Sequence, residues 1–422
     1  MRIHIVTAGT RGDIEPLAIL ARGFGDAGYR IAFAANDEGA ALCAAHGVPF
    51  VSLGFSVADL LASETGQAML ASASPSGSHG LLIALCAQAL PVAGPRIFDA
   101  CRGADVILCQ DNVFPECYAA AQAFGRPLVA LNLMPYGATA AYPHPYASDE
   151  ERGTLPARET HRRATHRAMA GTLVTDNELR RNHLGLPPLS ADDLVAAREA
   201  TPALLGYSPL LFPAPPDWPA TRIVTGAWRS PAPAEPDAEL AAFVAAGPPP
   251  IYVGFGSMMF DAGPLTQFLD GLAARSGQRI VFVNPWLDET TARRARSSTL
   301  FVARTAAHDW LLPRCALAVH HGGAGTTAAS TRAGVPTLIA WFIVDQRLWA
   351  ERVEQLGIGR NLGPFTTLAF GALGHTLESA LDDFTLRERS ASMGARLANE
   401  RGVDTAVAAL PGLVARLGAA SE

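Results

Sequence analysis

At 422 residues the chain is longer than one ordinary core, and a prior of about 150 residues per domain divides it into two or three domains. A composition of 49% hydrophobic and 17% charged residues belongs to a globular protein rather than a disordered one, and a net charge of −6 offers no electrostatic footprint for nucleic acid or an anionic membrane surface. All 33 cationic side chains are Arg, which excludes P-loop, Schiff-base and pyridoxal chemistry, since each needs a Lys amine.

The N-terminal Met1–Val6 lacks the apolar stretch and cleavage site of a signal peptide. Cys43, Cys86, Cys101, Cys109, Cys117 and Cys315 are scattered, with no C-x-x-C pair. That spacing fits neither a zinc ribbon nor a disulfide framework, and it leads to the expectation of a reducing, cytoplasmic setting. In the first half, Arg2–Ala8, Tyr29–Ala35, Pro49–Leu53, Asp105–Cys109 and Pro127–Asn132 read as buried strands. Helical stretches such as Ile14–Ala27 and Glu116–Phe124 lie between them, which implies βαβ units and a parallel sheet. Leu81–Ala93 is the most apolar helix-length segment and falls short of the about 20 residues needed to span a bilayer. The charged stretch Asp149–Asn182 predicts a solvated helix. Its His161 and His166, five residues apart, share no helical face for a metal.

The pattern restarts after Arg229–Pro250, a Pro/Ala-rich linker. Ile251–Phe255, Arg279–Asn284, Thr299–Ala303, Ala316–His320 and Thr337–Trp341 read as a second set of strands, and the chain from about residue 375 reads as helical. The economical fold class is α/β, with two doubly wound Rossmann-like domains facing a central cleft. The expected boundaries are 1–230 and 250–400, joined by a linker at 231–249, with a last helix at 401–422 crossing back.

Chemistry concentrates where the strand Ala316–His320 runs into His321-Gly322-Gly323-Ala324-Gly325-Thr326-Thr327 and then a helix. Glycines let the backbone approach an anion, and a helix start supplies free N–H groups and a favourable dipole. The glycines are not in dinucleotide register, and taken alone such a turn is as readily a folding device; the His and Thr pairs favour phosphate. In the first half, Gly9-Thr10-Arg11-Gly12-Asp13 places Asp13 at the carboxyl end of the first strand. It suits either a helix cap or an acid–base group. Asp111, after Val106–Gln110, has the same two readings, assistant to Asp13 or helix cap.

His320-His321-Gly-Gly-Ala-Gly-Thr-Thr, Ala333-Gly-Val-Pro336, Asp345-Gln346 with Trp349, Ala307-His308-Asp309-Trp310-Leu311 and the N-terminal Gly9-to-Pro16 segment together resemble the inverting family-one glycosyltransferases of the GT-B fold. The nearest group is the bacterial natural-product and sterol glucosyltransferases, and the likeness runs over most of the chain. The resemblance implies that His321, Gly325 and Thr326 hold a donor diphosphate with the backbone of Gly323 and Ala324, and that Gly12 and Ser257 also serve the donor. It further implies that Asp345 and Gln346 bind sugar hydroxyls, that His308 lines the nucleobase pocket, and that Asp13 is the general base. The sequence departs from the plant members at Ala303 and Ala329, where a base-stacking Trp and a ribose-binding Glu would fall, and has Val344 where the group often has Gly.

The expected activity is transfer of a hexose from a UDP- or dTDP-sugar to a hydroxyl of an apolar small molecule. No metal or other cofactor, no nucleic acid and no stable membrane insertion are expected. Phe55, Leu60, Leu81, Leu82, Met134, Tyr136 and Tyr142 are candidates to line the acceptor site, with core packing as the alternative. A sugar-nucleotide epimerase or a non-catalytic helper on the same fold are the competing functions.

Overall fold

The computed structural model of the protein describes residues 1–71, 75–230, 235–258, 260–343 and 345–419. Val344 and the linker residues 231–234 therefore lie outside the described residues. The chain forms two compact units, Met1–Arg229 with Arg401–Glu422, and Ser230–Glu400.

The first unit holds a parallel sheet of β1 (Arg2–Val6), β2 (Arg30–Ala35), β3 (Phe50–Ser52), β4 (Val106–Gln110), β5 (Leu128–Asn132), β6 (Ala203–Leu205) and β7 (Arg222–Val224), in the order β3-β2-β1-β4-β5-β6-β7. β5 and β6 are buried throughout their length and apolar apart from Asn132, as expected of strands covered by helices on both faces. The order reverses direction between β1 and β4, where Val6 pairs with Cys109. In open α/β sheets such a switch point opens the crevice that receives ligands.

The second unit repeats the scheme with β8 (Ile251–Gly254), β9 (Ile280–Val283), β10 (Leu300–Ala303), β11 (Leu317–His320), β12 (Thr337–Trp341) and β13 (Gly359–Pro364), ordered β10-β9-β8-β11-β12-β13. Its switch point lies between β8 and β11, with Gly254 opposite His320. The two parallel sheets establish the α/β class with two doubly wound domains that the strand pattern predicts.

Helix Arg11–Asp26 packs against the final helix Gly402–Ala419 within the first unit. The contact is close: a Cβ on Gly23 would stand 2.2 Å from Val403 Cγ1. Glycine is required there by the neighbour, not by its backbone angles.

Two expectations need correction. The charged stretch is two helices, Asp149–Thr154 and Ala157–Leu184, and the longer one buries Thr160, His161, Ala164, Met169 and Asp176. Arg and Glu on its outer face carry the charge pattern that reads as fully solvated. The apolar segment at Leu81 belongs to a 27-residue helix, Pro75–Cys101. By length and composition alone its residues His79–Cys101 could cross a membrane, and they are 39% buried in the fold. The helix packs on Ala157–Leu184 and on β1 and β2, so its apolar face is engaged by the unit's own core.

Candidate active site

In the first unit, Thr10 is the N-cap of helix Arg11–Asp26 and Asp13 its third residue, forming a capping box. The Thr10 N–H donates to Asp13 Oδ2 at 2.9 Å. Asp13 is thus the N3 partner in the capping box of this helix. Gly9 adopts φ +141, and a Cβ there would stand 2.3 Å from Asp13 Oδ2. Asn36, fully buried, clamps the same loop: its Oδ1 accepts from the Gly9 N–H at 2.8 Å and its Nδ2 donates to the Gly9 carbonyl at 3.0 Å.

The group from β4 that meets Asp13 is Gln110, whose Nε2 donates to Asp13 Oδ1 at 2.9 Å. Burial pushes the Asp13 pKa above the ordinary carboxylate value, while the bonds from Gln110 and then Thr10 pull it back. Asp111 faces elsewhere. Arg198 Nε donates to its Oδ1 and Arg198 Nη2 to its Oδ2 at 2.8 Å, and the guanidinium lies over the ring of Tyr136, 5.0 Å from its centroid. Both Asp111 oxygens accept from Arg198, and the side chain from this strand end that bonds Asp13 is Gln110 instead. Gly12 is exposed in the first turn, and Pro16 brings no N–H to its carbonyl four residues back.

In the second unit, helix Ala324–Arg332 starts at the N-cap Gly323 with no side-chain cap. Its first N–H groups have no partners within the helix, and a Cβ on Gly325 would meet nothing within 4 Å. The two histidines before it divide the work. His320 is scaffold: its Nδ1 accepts from the Gly322 N–H at 3.0 Å, so the proton rests on Nε2, 3.2 Å from the Ser330 hydroxyl. Gly322, at φ +85, completes the turn, because a Cβ there would stand 2.7 Å from Ile339 and 2.9 Å from the Gln346 carbonyl.

His321 packs against Gly256 and Gly323, where added Cβ atoms would fall 2.7 Å from its Cε1 and 2.5 Å from its Nε2. Burial, and next the charge of His308, push the His321 pKa down to about 4, with the Gly254 backbone opposing. At neutral pH the free protein therefore presents a neutral imidazole beside the helix start. The Thr327 hydroxyl is buried without a partner, while Thr326 is half-buried. Ser257 is half-buried in the turn after β8, on the other side of the switch point. His308 Nε2 shares a 2.8 Å hydrogen bond with the buried Tyr252 hydroxyl.

After β12, Asp345 Oδ2 accepts from Trp349 Nε1 at 2.6 Å. Gln346 is buried, and its Oε1 accepts from the N–H groups of Phe342 and Ile343 at 2.8 and 3.1 Å. Its Nε2 lies 3.7 Å from Met258 Sδ. Gln346 thus closes its own loop here instead of presenting its amide outward. Ala303 and Ala329 belong to one buried apolar cluster. Of the candidate acceptor residues, Phe55 packs on the first unit's core, and Tyr142 meets the Phe212 ring edge-on at 5.9 Å. Among the described residues no group of three or more His, Cys, Asp or Glu is arranged to hold a metal ion.

Gln110, Thr7 and Asn36 were not legible as site residues. Their contribution depends on register: Thr7 and Gln110 are the residues following the paired Val6 and Cys109 on adjacent strands, and no local motif announces that.

Comparisons with known proteins bear on the fold and on the relatives of this chain. Residues 299–409 match the family described as Erythromycin biosynthesis protein CIII-like, C-terminal domain. The chain is 30% identical over 447 residues to a sterol 3-beta-glucosyltransferase of Cryptococcus neoformans, covering 97% of this chain and 27% of that protein. It is 27% identical over 424 residues to the sterol 3-beta-glucosyltransferase of Debaryomyces hansenii, covering 96% and 26%. The chain thus spans about a quarter of the length of these curated relatives. Among solved structures, the glycosyltransferase of kitacinnamycin superposes with a TM-score of 0.69 at 19% identity, covering 98% of both chains. The glycosyltransferase VinC in complex with dTDP does so with 0.68 at 18% identity, covering 99% of this chain and 100% of that one. The chain therefore has the GT-B fold of these glycosyltransferases, and in sequence it is similar to family-one glycosyltransferases.

Proposed function

We propose that the protein is an inverting O-glycosyltransferase that moves a hexose from a UDP- or dTDP-sugar to a hydroxyl of an apolar small molecule of the sterol or natural-product class. The observation that carries this reading is the uncapped start of helix Ala324–Arg332 beside a neutral, buried His321. Free N–H groups, the positive end of the helix dipole and an imidazole donor suit a diphosphate, whose negative charge grows as it leaves. The relatives' acceptors and the dTDP bound to VinC support the substrate classes.

In the proposed reaction the acceptor oxygen forms a bond to the anomeric carbon as the bond from that carbon to the phosphate oxygen breaks. Configuration inverts. The nucleoside diphosphate departs with the bonding electrons, and the hydroxyl proton passes to Asp13. A carboxylate serves because the hydroxyl becomes acidic only as its oxygen bonds to carbon. Charge on the leaving group is met by the helix start and His321, so no metal is needed, and a cytoplasmic setting fits the reduced thiols. The epimerase alternative calls for further acid–base carboxylates near the donor sugar, whereas Asp345 already accepts from Trp349.

The test is calorimetry with UDP and dTDP, followed by a donor and acceptor panel read by mass spectrometry, with and without chelator. Binding of a nucleoside diphosphate and chelator-resistant transfer are expected. No measurable heat with either nucleotide would refute the donor site, and loss of transfer in chelator would refute metal independence.

A further inference from the structure

Asp13 is held by a neutral partner that no family motif assigns. Gln110 Nε2 donates to Asp13 Oδ1 at 2.9 Å, and Gln110 Oε1 accepts from the hydroxyl of Thr7, which is fully buried. Thr10 fixes the other oxygen, Oδ2, through its N–H at 2.9 Å and its hydroxyl at 3.3 Å. The carboxylate plane is therefore set from both ends, and Oδ1 keeps a second lone pair open.

The Asp13 carboxylate, which only accepts, decides which end of the amide faces it, and the Thr7 hydroxyl donates to the opposite end and holds the amide there. An inverted amide would put two acceptor oxygens against each other, a buried clash of like partial charges. Nearby charges are paired elsewhere: Arg11 bonds Glu15, Arg198 bonds Asp111, and Glu38 accepts from Asn36, Ser56 and the Ala58 N–H. An amide fits this role better than a cation. An Arg in its place would hold the carboxylate more firmly ionised and make it a weaker base.

We propose that Gln110, oriented by Thr7, is the positioning residue of the Asp13 carboxylate; this rests on the reading of Asp13 as general base. Gln110 touches no reacting atom. It holds Oδ1 in place and opposes the rise in proton affinity that burial brings to Asp13.

The experiment uses full-length protein carrying 13Cγ-labelled aspartate, with Asp13→Asn identifying the Asp13 carboxyl signal. Its titration is followed in the parent protein and in Gln110→Ala, Gln110→Glu, Thr7→Val and Thr7→Ser. In parallel, nucleoside diphosphate release is measured from UDP-glucose and dTDP-glucose with ergosterol as acceptor. In Gln110→Ala the Asp13 titration is expected to rise by about one pH unit, matching loss of a hydrogen bond to a charge. The acidic limb of kcat should move with it, kcat on the plateau above that limb should fall roughly tenfold because the carboxylate is no longer aimed, and donor KM should hold. Thr7→Val should shift both in the same direction by less, and Thr7→Ser should restore them. Gln110→Glu, nearly isosteric, keeps the test valid should the alanine variant fold poorly; its second carboxyl should raise the Asp13 titration further. If Asp13→Asn abolishes release while every Gln110 and Thr7 variant titrates and turns over like the parent, the positioning role is wrong and the base reading stands. If Asp13→Asn itself releases product at the parent rate, both are overturned.

Discussion

Replacing Asp111 by Asn would leave the Arg198 guanidinium, whose side chain is 1% exposed, without its counter-charge. The amide keeps the shape and can accept one hydrogen bond, but the charge, sandwiched near Tyr136 and Phe114, has no route to water. Breaking a buried pair from one side costs about 3–5 kcal/mol. At about 2–4 °C of Tm per kcal/mol for a domain of this size, the melting temperature should fall by roughly 6–20 °C. The double variant Asp111→Asn/Arg198→Met removes the orphan charge and should regain most of that loss. Thermal unfolding followed by circular dichroism supplies the stability, and transfer kinetics well below the transition supply the activity. With Asp111 purely structural, kcat at low temperature stays within a few-fold of the parent, since the bond to Asp13 comes from Gln110. An unchanged melting temperature combined with a large fall in kcat would refute this reasoning and return Asp111 to the catalytic group.

Asp13→Asn should lower kcat by about 10²–10⁴-fold, the usual worth of a positioned base, while calorimetry shows nucleotide affinity intact. Gly323→Ala places a methyl 2.5 Å from His321 Nε2, so nucleoside diphosphate affinity should drop with little change in melting temperature; unaltered affinity would separate His321 from the phosphates. Binding of UDP or dTDP should tighten as the pH falls from 7 toward 5. His321 starts with a pKa of about 4, an adjacent diphosphate raises it, and the complex therefore takes up a proton that the free protein does not hold. In His321→Asn that pH dependence should flatten, as read by calorimetry in buffers of different ionisation enthalpy. Stability has the same origin and the opposite sign: His321 is neutral in the fold and protonated when unfolded, so its contribution falls as the pH drops from about 6.5 toward 4.

Ten of the strands were visible in the sequence because a buried parallel strand is a short apolar run between turn residues. β6, β7 and β13 were not. Ala203–Leu205 is three residues without alternation, Arg222–Val224 begins on a buried Arg paired with Glu199, and Gly359–Pro364 has little intrinsic strand preference. At the phosphate turn the motif could be read directly, since glycines before a helix have a local meaning. The division between His320 and His321 came from the family resemblance and not from the pattern itself, because adjacent residues at a strand end point opposite ways and only packing tells which way is inward. Gln110 and Gln346 were opaque for a related reason. An amide has no fixed chemical errand, and its role is written in whichever backbone or side chain the fold sets against it.

The final helix has a consequence for the order of events during synthesis. The first unit needs residues 402–419 to cover helix Arg11–Asp26 at Gly23, yet the ribosome delivers the whole second unit before them. At about 5–20 residues per second, the first unit waits on the order of ten to thirty seconds with that helix face bare. Ser230–Glu400 can close on itself in that interval. A chain released just before residue 402 would thus contain a finished second unit and a first unit still missing its last piece, and such a product should be recognised by proteases and chaperones through that uncovered face.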